Sequence, residues 1–255
     1  MIGNDKGFKI HALINMYNDH ISLPFALDSV RDIADSIIVA DGAYKKYYEH
    51  YVKVQEDAKP WSTDGTLEML DILKKDLPPI KLIECPNGKP WVNQTVKRTA
   101  LLDAVPLKDW FLILDGDEMF YGDVVNGVTE IMNSGCIAGH VPLFTVGLGM
   151  SGFWPFWHPR VFLKLPDMHY ERKHWLLCDF AHRIIEATYP LWGTNRFVLA
   201  HFKVFRNHRR MMAHMSYMLE MSEAGWQEPD SKLFKSEFDD EEKEGKEVIR
   251  TATKG

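Results

Sequence analysis

Two carboxylates, Asp115 and Asp117, stand one residue apart where the apolar run of residues 110–114 ends. Side chains alternate along an extended chain, so the pair shares one side once such a strand has stopped. Gly116 between them carries no side chain and is expected to leave room for a phosphate to come close. Hard oxygen donors of this kind suit Mg²⁺ or Mn²⁺, ions that keep open positions for substrate phosphates. The implied chemistry is a metal-diphosphate site. The competing reading is a turn whose acids are solvated.

The elements that must position this pair can be read from hydrophobic periodicity. Residues 8–14 form a buried strand, and the loop at 15–19 leads into a helix with Ser22 as its cap and Pro24 in its first turn. Leu23, Ala26, Leu27, Val30 and Ile33 recur at helical spacing in it. A strand at 36–40 runs straight into Asp41 and Gly42. After a looser region at 44–62, Leu67, Leu70, Ile72 and Leu73 mark a helix, Pro78 and Pro79 stop it, and 80–84 make a third strand. A helix at 94–104 precedes the strand at 110–114. This alternation predicts an α/β fold with a mostly parallel central sheet flanked by helices. Ligands of such sheets gather beyond the carboxyl ends of the strands, where Asn15, Asp41 and Asp115 all fall. The second half reads as a helix at 123–133, strands at 136–146 and 160–165, an irregular aromatic-rich stretch, a strand at 196–202 and a long helix at 205–224.

Composition narrows the class. A chain of 255 residues with 45% hydrophobic and 12% aromatic content can bury a large core. A net charge of -6 without a long basic stretch argues against nucleic-acid binding driven by phosphate neutralisation. No apolar run has the length of a membrane span, and residues 1–9 are too polar for a signal peptide, so a cytoplasmic location is expected. Cys85, Cys136 and Cys178 are odd in number and widely spaced, as reduced thiols would be.

Two motifs fail on context. Residues 147–152 match the dinucleotide fingerprint letter for letter, but Pro155 and Pro159 forbid the helix that would present amides to a pyrophosphate. The segment from Asp115 is no calcium loop either, because Met119 and Phe120 occupy a ligand position and the glycine position.

Taken together, these pieces resemble family 2 glycosyltransferases with the GT-A fold over roughly residues 8–217. The resemblance rests on residues 15–19 after the first strand, residues 37–42 ending in Asp41 and Gly42, Arg98, residues 110–118, Arg160 to Phe162, and His201 followed by Arg206. It implies one domain at 1–225, with a donor-nucleotide half of about 1–118 and an acceptor half of about 119–225, and then a polar acidic tail at 226–255. It further implies that Asp41 reads the base of a nucleotide sugar, that Asn15 lines the nucleotide pocket, and that Arg98 lies near the nucleotide or its sugar. Asp115 and Asp117 would be the DxD pair, and His201 would complete the shell of Mn²⁺ or Mg²⁺. The donor would be a UDP-, GDP- or TDP-sugar. The acceptor stays open among a saccharide, a lipid-linked glycan, a protein and a modified nucleic-acid base.

The chemistry asks for these residue types. A departing nucleoside diphosphate needs its growing charge met, by a divalent ion acting as a Lewis acid and by cations such as Arg206. Lys203, Arg209 and Arg210 lie nearby in sequence, and for Arg209 and Arg210 a solvated helix start is the expectation. For inverting transfer, the expected course, a base must face the acceptor. The family's usual His-Glu or Glu-Asp pair is absent, with His174 and Trp175 in its place, so His174, Asp179 and Glu171 compete for that role. Trp154, Phe156, Trp157 and Trp175 could stack on sugar or base faces, with core packing as the plainer alternative. Two other functions share the frame: a sugar-phosphate nucleotidyltransferase, which should carry an early glycine-rich loop with an arginine that residues 15–19 lack, and a non-catalytic GT-A-like binding protein.

Overall fold

A computed structural model describes residues 7–146, 152–171, 176–202 and 208–223. Strand β1 (Ile10–Met16) is followed by helix α1 (Leu23–Asp28), strand β2 (Ser36–Asp41) and helices α2 (Lys45–Val52) and α3 (Thr66–Leu73). Next come β3 (Ile80–Ile83), α4 (Gln94–Asp103), β4 (Trp110–Asp115), β5 (Glu118–Gly122) and α5 (Val124–Asn133). The second half contains β6 (Ala138–Val146), β7 (Gly152–Leu163), β8 (His169–Tyr170), β9 (Leu177–Cys178), α6 (Ile185–Thr188), β10 (Leu191–Gly193), β11 (Phe197–Phe202) and α7 (His208–Glu223).

The fold is mixed α/β. Among the described residues the main sheet has nine strands in the order β3-β2-β1-β4-β7-β6-β11-β5, with β10 also on β6. Strands β3, β2, β1 and β4 run parallel, as do β6, β10 and β11, while the pairs β4–β7, β6–β7 and β11–β5 are antiparallel. Strand β5 leaves β4 through Gly116 and Asp117 alone and pairs with β11 at the far end of the order, so the sheet curls back on itself. The acidic turn is therefore the corner of a curled sheet. Helix α2, in the region expected to be loose, strand β5, and the short elements β8, β9, α6 and β10, in the stretch expected to be irregular, were not announced by the sequence pattern. Strand β7 starts at the last glycine of the fingerprint-like run, so a strand and not a helix follows it.

Alternation along the central strands sorts the core onto two faces. Ile10, Ala12, Ile14 and Met16 of β1 with Trp110, Leu112 and Leu114 of β4 pack with Leu23 and Leu27 of α1, Leu70 of α3 and Val128 and Ile131 of α5. Leu13, Ile38, Phe111 and Ile113 pack with Leu101 and Leu102 of α4 on the other face. Asn15 and Asp115 continue that second set, which turns their side chains toward α4. A third cluster, built of Tyr17, Tyr47, Tyr51 and Tyr217, seats α7 on α2. Its helix contact is reinforced by Glu220, which accepts from Lys46 at 2.9 Å and meets His50 at 2.6 Å.

Candidate functional site

Asn15 and Asp115 are register partners at the carboxyl ends of adjacent parallel strands. Asn15 Nδ2 donates to Asp115 Oδ1 at 2.9 Å, and Arg98, on the second turn of α4, donates to the same oxygen. Helix α4 starts at the carboxyl edge with Asn93, whose side chain accepts from Val96 N–H, as a cap should. Burial opposes charge on Asp115, but the guanidinium of Arg98 outweighs it and holds the carboxyl well below its usual range. Both hydrogen bonds fall on Oδ1, and the side chain keeps 27% of its exposure. Asn15 Oδ1 is buried without a hydrogen-bond partner, an acceptor beside an acid that suits a cation or an N–H group of a ligand.

Asp117 is buried close enough for its charge to act on Asp115. Its Oδ2 faces His201 Nε2 at 3.4 Å, and His201 opposes Glu118 across the β5–β11 ladder. Glu118 is buried and spans two strands: Oε2 accepts from Asp115 N–H at 2.9 Å and Oε1 from Arg160 Nη2 at 2.9 Å. His158, two residues from Arg160 on β7, is driven down to about 4 by burial and by the charges of Arg160 and His201. It is therefore a neutral imidazole at pH 7. The expected trio Asp115, Asp117 and His201 is thus split into a group around Arg98 and a facing acid-imidazole pair. Their ligand atoms do not all come within 4.8 Å of one another; among the described residues only a group elsewhere in the fold does. The donor set still fits a divalent ion. One carboxylate oxygen and one imidazole nitrogen already face each other, and Mg²⁺-type sites take one or two carboxylates and leave the rest to substrate phosphates.

Gly116 corrects an expectation. The space beside it is filled by protein, because a Cβ there would lie 2.3 Å from Asp19 Oδ2 and 2.7 Å from its Cγ. Asp19 is fully enclosed: Oδ2 accepts from Tyr17 N–H at 2.9 Å and Oδ1 from Arg210 Nη1 at 2.6 Å. Burial nonetheless lifts its carboxyl above the usual range, with the charge of Asp117 adding to the rise and Arg210 opposing it. Arg210 is the second correction. Instead of solvating a helix start, it reaches from α7 to Asp19 and to the carbonyl of Asn18, and it is buried. A buried acid beside Asp117 requires a counter-charge. Arg209 is exposed and meets Gln55 Oε1 at 3.4 Å.

Asp41, at the end of β2, is 2% exposed and accepts from Ser62 N–H at 3.0 Å and Ser62 Oγ at 2.5 Å. Burial raises its carboxyl pKa despite those two bonds. Between Asp41 and Asp115 lies Lys97, which donates to the carbonyls of Met16 at 2.7 Å and Gly42 at 2.6 Å. Gly42 sits at φ +107°, which only glycine adopts without strain. Burial lowers Lys97 to about 8, against the pull of Asp41, Asp19 and Asp115. Lys97, Asp19 and Glu118 received no role in the sequence reading. Their signal was available in part, since each adjoins or ends a segment already singled out, but polar residues in such places give no hint of burial.

Asp179 lies at the end of β9, with none of its surface exposed. Burial would raise its pKa, but Tyr189 Oη, Arg183 N and Nε, and Ala181 N all donate to it and hold it below the usual carboxylate range. Those bonds fit an acid that organises a turn; a general base needs an oxygen turned to its acceptor. Glu171 stands between His169 and His182. Trp157 is 44% exposed and packs edge-on against His140, with ring centroids 5.1 Å apart. His174, Trp175, Lys203 and Arg206 lie outside the described residues.

No known protein family and no curated protein matches this sequence. Solved structures give remote likenesses. S. aureus TarS is 16% identical at a TM-score of 0.38, over 58% of this chain and 23% of TarS, so the chain spans about a quarter of that protein's length. The 4-diphosphocytidyl-2C-methyl-D-erythritol synthase of Anaerococcus prevotii is 13% identical at 0.43, over 83% of this chain and 99% of that one. The inositol-1-phosphate CTP transferase of T. maritima is 7% identical at 0.39, over 80% and 94%.

Proposed function

We propose that this chain is a metal-dependent glycosyltransferase of GT-A type that moves a sugar from a nucleotide-diphospho donor to an acceptor. The observation that carries the reading is the convergence of Asn15, Arg98 and Asp115 with the facing pair Asp117 and His201 at the carboxyl ends of parallel strands. Such an edge is where α/β sheets bind ligands. Asp117 and His201 would hold Mn²⁺ or Mg²⁺, with Asp115 as the further acid of the DxD pair. When bound, the ion supplies Lewis acidity to the leaving diphosphate.

The remaining work belongs to the chain. Arg98 and Asn15 fix the Asp115 carboxylate, and Glu118 holds the acidic turn to β7 through Arg160. Lys97 ties the ends of β1 and β2 together beneath the nucleotide side, close to Asp41. With the oxygens of Asp179 taken up by its own turn, His174 and Glu171 remain the candidates for the acceptor base. Among the described residues no helix is long and apolar enough to cross a membrane.

Thermal unfolding with UDP, GDP or TDP, each with Mn²⁺, tests the reading. A ligand at a hundredfold over its Kd adds about 2.7 kcal/mol, and at roughly 2–4 °C per kcal/mol for a chain of this size that is a shift of several degrees. Absence of a shift with every nucleotide would count against it. Release of pyrophosphate from a nucleoside triphosphate and a sugar phosphate would assign nucleotidyl transfer instead, and slow hydrolysis of one sugar donor without acceptor would support the glycosyltransferase.

A further inference from the structure

His169, Glu171 and His182 form a second cluster, outside the edge described above. Their ligand atoms all lie within 4.8 Å of one another, and among the described residues no other group of three or more histidines, cysteines or acids does this. His169 and Glu171 are two residues apart on the β8 side of a small antiparallel ribbon, so they share a face. Glu171 N–H donates to Leu176 O at 3.1 Å, which extends the ribbon to the carboxylate-bearing residue. His182 arrives from the turn after β9 at φ +58°, a left-handed conformation that a side chain adopts only when its surroundings hold it there.

We propose that these three side chains bind a divalent transition ion, with Zn²⁺ the best fit, in a site with an open fourth position. Three observations carry the assignment. First, the donors are two imidazoles and one carboxylate, a set suited to Zn²⁺ and unlike the all-oxygen set that Mg²⁺ prefers. Second, the spacing matches a coordination shell. His182 Nδ1 lies 3.2 Å from Glu171 Oε1 and His169 Nε2 lies 3.6 Å from Oε2. Zn–N and Zn–O bonds of about 2.0–2.1 Å in a tetrahedron place neighbouring donors roughly 3.3–3.4 Å apart; without an ion the 3.2 Å contact is a His182–Glu171 hydrogen bond, whose place the metal would take. Third, the outer partners are in place. His169 Nδ1–H donates to the Asp167 carbonyl at 2.9 Å, which fixes the tautomer that leaves Nε2 as the metal-facing nitrogen.

Asp179 becomes intelligible in this setting as a positioning residue. Its carboxylate accepts from Ala181 N and from Arg183 N and Nε, and its carbonyl accepts from His182 N–H at 3.0 Å, so it locks the turn that presents His182. The site is reachable from solvent, since the side chains of His169, Glu171 and His182 are 27%, 15% and 47% exposed. A site with three protein ligands and an open position holds a bound water or a substrate oxygen at the metal.

The test uses the full chain after chelator treatment, titrated with Zn²⁺ by calorimetry and with Co²⁺ by visible absorption. One tight equivalent is expected, with the intense d–d bands of four-coordinate Co²⁺. His169→Ala and His182→Ala should each weaken Zn²⁺ binding at least about 100-fold, beyond the 10–100-fold that loss of an outer partner costs. Asp179→Asn should fall within that lower range while far-UV circular dichroism stays unchanged. Asp117→Asn should keep the tight Zn²⁺ equivalent and lose only weaker binding at the proposed nucleotide-sugar metal, which separates the two sites. Retention of tight Zn²⁺ binding by both histidine variants, its loss in Asp117→Asn, or octahedral Co²⁺ spectra in the unmodified protein would overturn the assignment. The Co²⁺ spectrum needs no variant, so the test survives a substitution that fails to fold.

Discussion

Gly116→Ala separates two explanations for the glycine between the acids. If the residue served only to admit a phosphate, alanine would cost little stability and much ligand affinity. The structure makes the opposite case. The new Cβ would stand 2.3 Å from Asp19 Oδ2, 2.7 Å from Cγ and 3.0 Å from Cβ, all inside van der Waals contact. Asp19 has no easy retreat, because Tyr17 N–H and Arg210 hold its two oxygens. Gly116 is not among the positive-φ glycines, so alanine introduces no strain of its own backbone and the cost reports the contact. Overpacking alone costs about 1–3 kcal/mol, and separation of the buried Asp19–Arg210 pair raises the loss to about 3–5 kcal/mol. Urea unfolding without ligand measures it. The control is the same substitution in a background carrying Asp19→Ala and Arg210→Met, which removes the clashing carboxylate without leaving a buried cation alone. There the penalty should drop below about 1 kcal/mol, a coupling of the size expected for groups in contact. A penalty under about 0.5 kcal/mol in the native background, or an equal penalty in both, would refute the reasoning.

Lys97 has a folded-state pKa below its unfolded value, so the unfolded chain binds more protons between about 8 and 10.5 and stability rises with pH across that window. The gain, at 1.36 kcal/mol per pH unit, is about 3 kcal/mol and should vanish in Lys97→Met, as read from denaturation at pH 7.5 and pH 10.5. Asp115 has the reverse sign: its depressed pKa contributes stability above about 3.8 that is lost as pH falls toward about 2. Acid unfolding of Asp115→Asn should lack that component, worth about 2 kcal/mol. Arg98→Ala removes the counter-charge of the partly buried Asp115 carboxylate and should destabilise by about 1.5–3 kcal/mol in chemical denaturation. Asp117→Asn and His201→Ala should each abolish Mn²⁺-dependent stabilisation by the nucleotide, followed by thermal unfolding, while leaving the metal-free melting temperature within a few degrees.

The first half of the fold was legible because its information is local. Strands β1, β2, β3 and β4 and helices α1, α3 and α4 were placed within a few residues from apolar spacing and proline stops. Helix α2 escaped because its apolar face is made of tyrosines, which become a core only where α7 covers them. Strand β5 escaped because a five-residue segment after an acidic turn has no periodicity of its own, and its partner β11 lies some eighty residues on. Asn15 and Asp115 were read as facing one crevice and are hydrogen-bonded, whereas Asp41 is turned into its own cradle with Ser62.

What the residue order determined alone, then, was the alternation of elements and the delivery of Asn15, Asp41, Asp115 and Asp117 to strand ends, since side-chain period follows directly from backbone geometry. Only the tertiary structure decided how their charges are met. Arg98 answers Asp115, His201 answers Asp117, and Arg210 answers Asp19 from 191 residues away. The space beside Gly116 was settled the same way, filled by a carboxylate from another loop. Burial is written in local periodicity, but the desolvation of a buried charge is offset by whichever counter-charge the folded chain brings within contact, and that choice has no local signature.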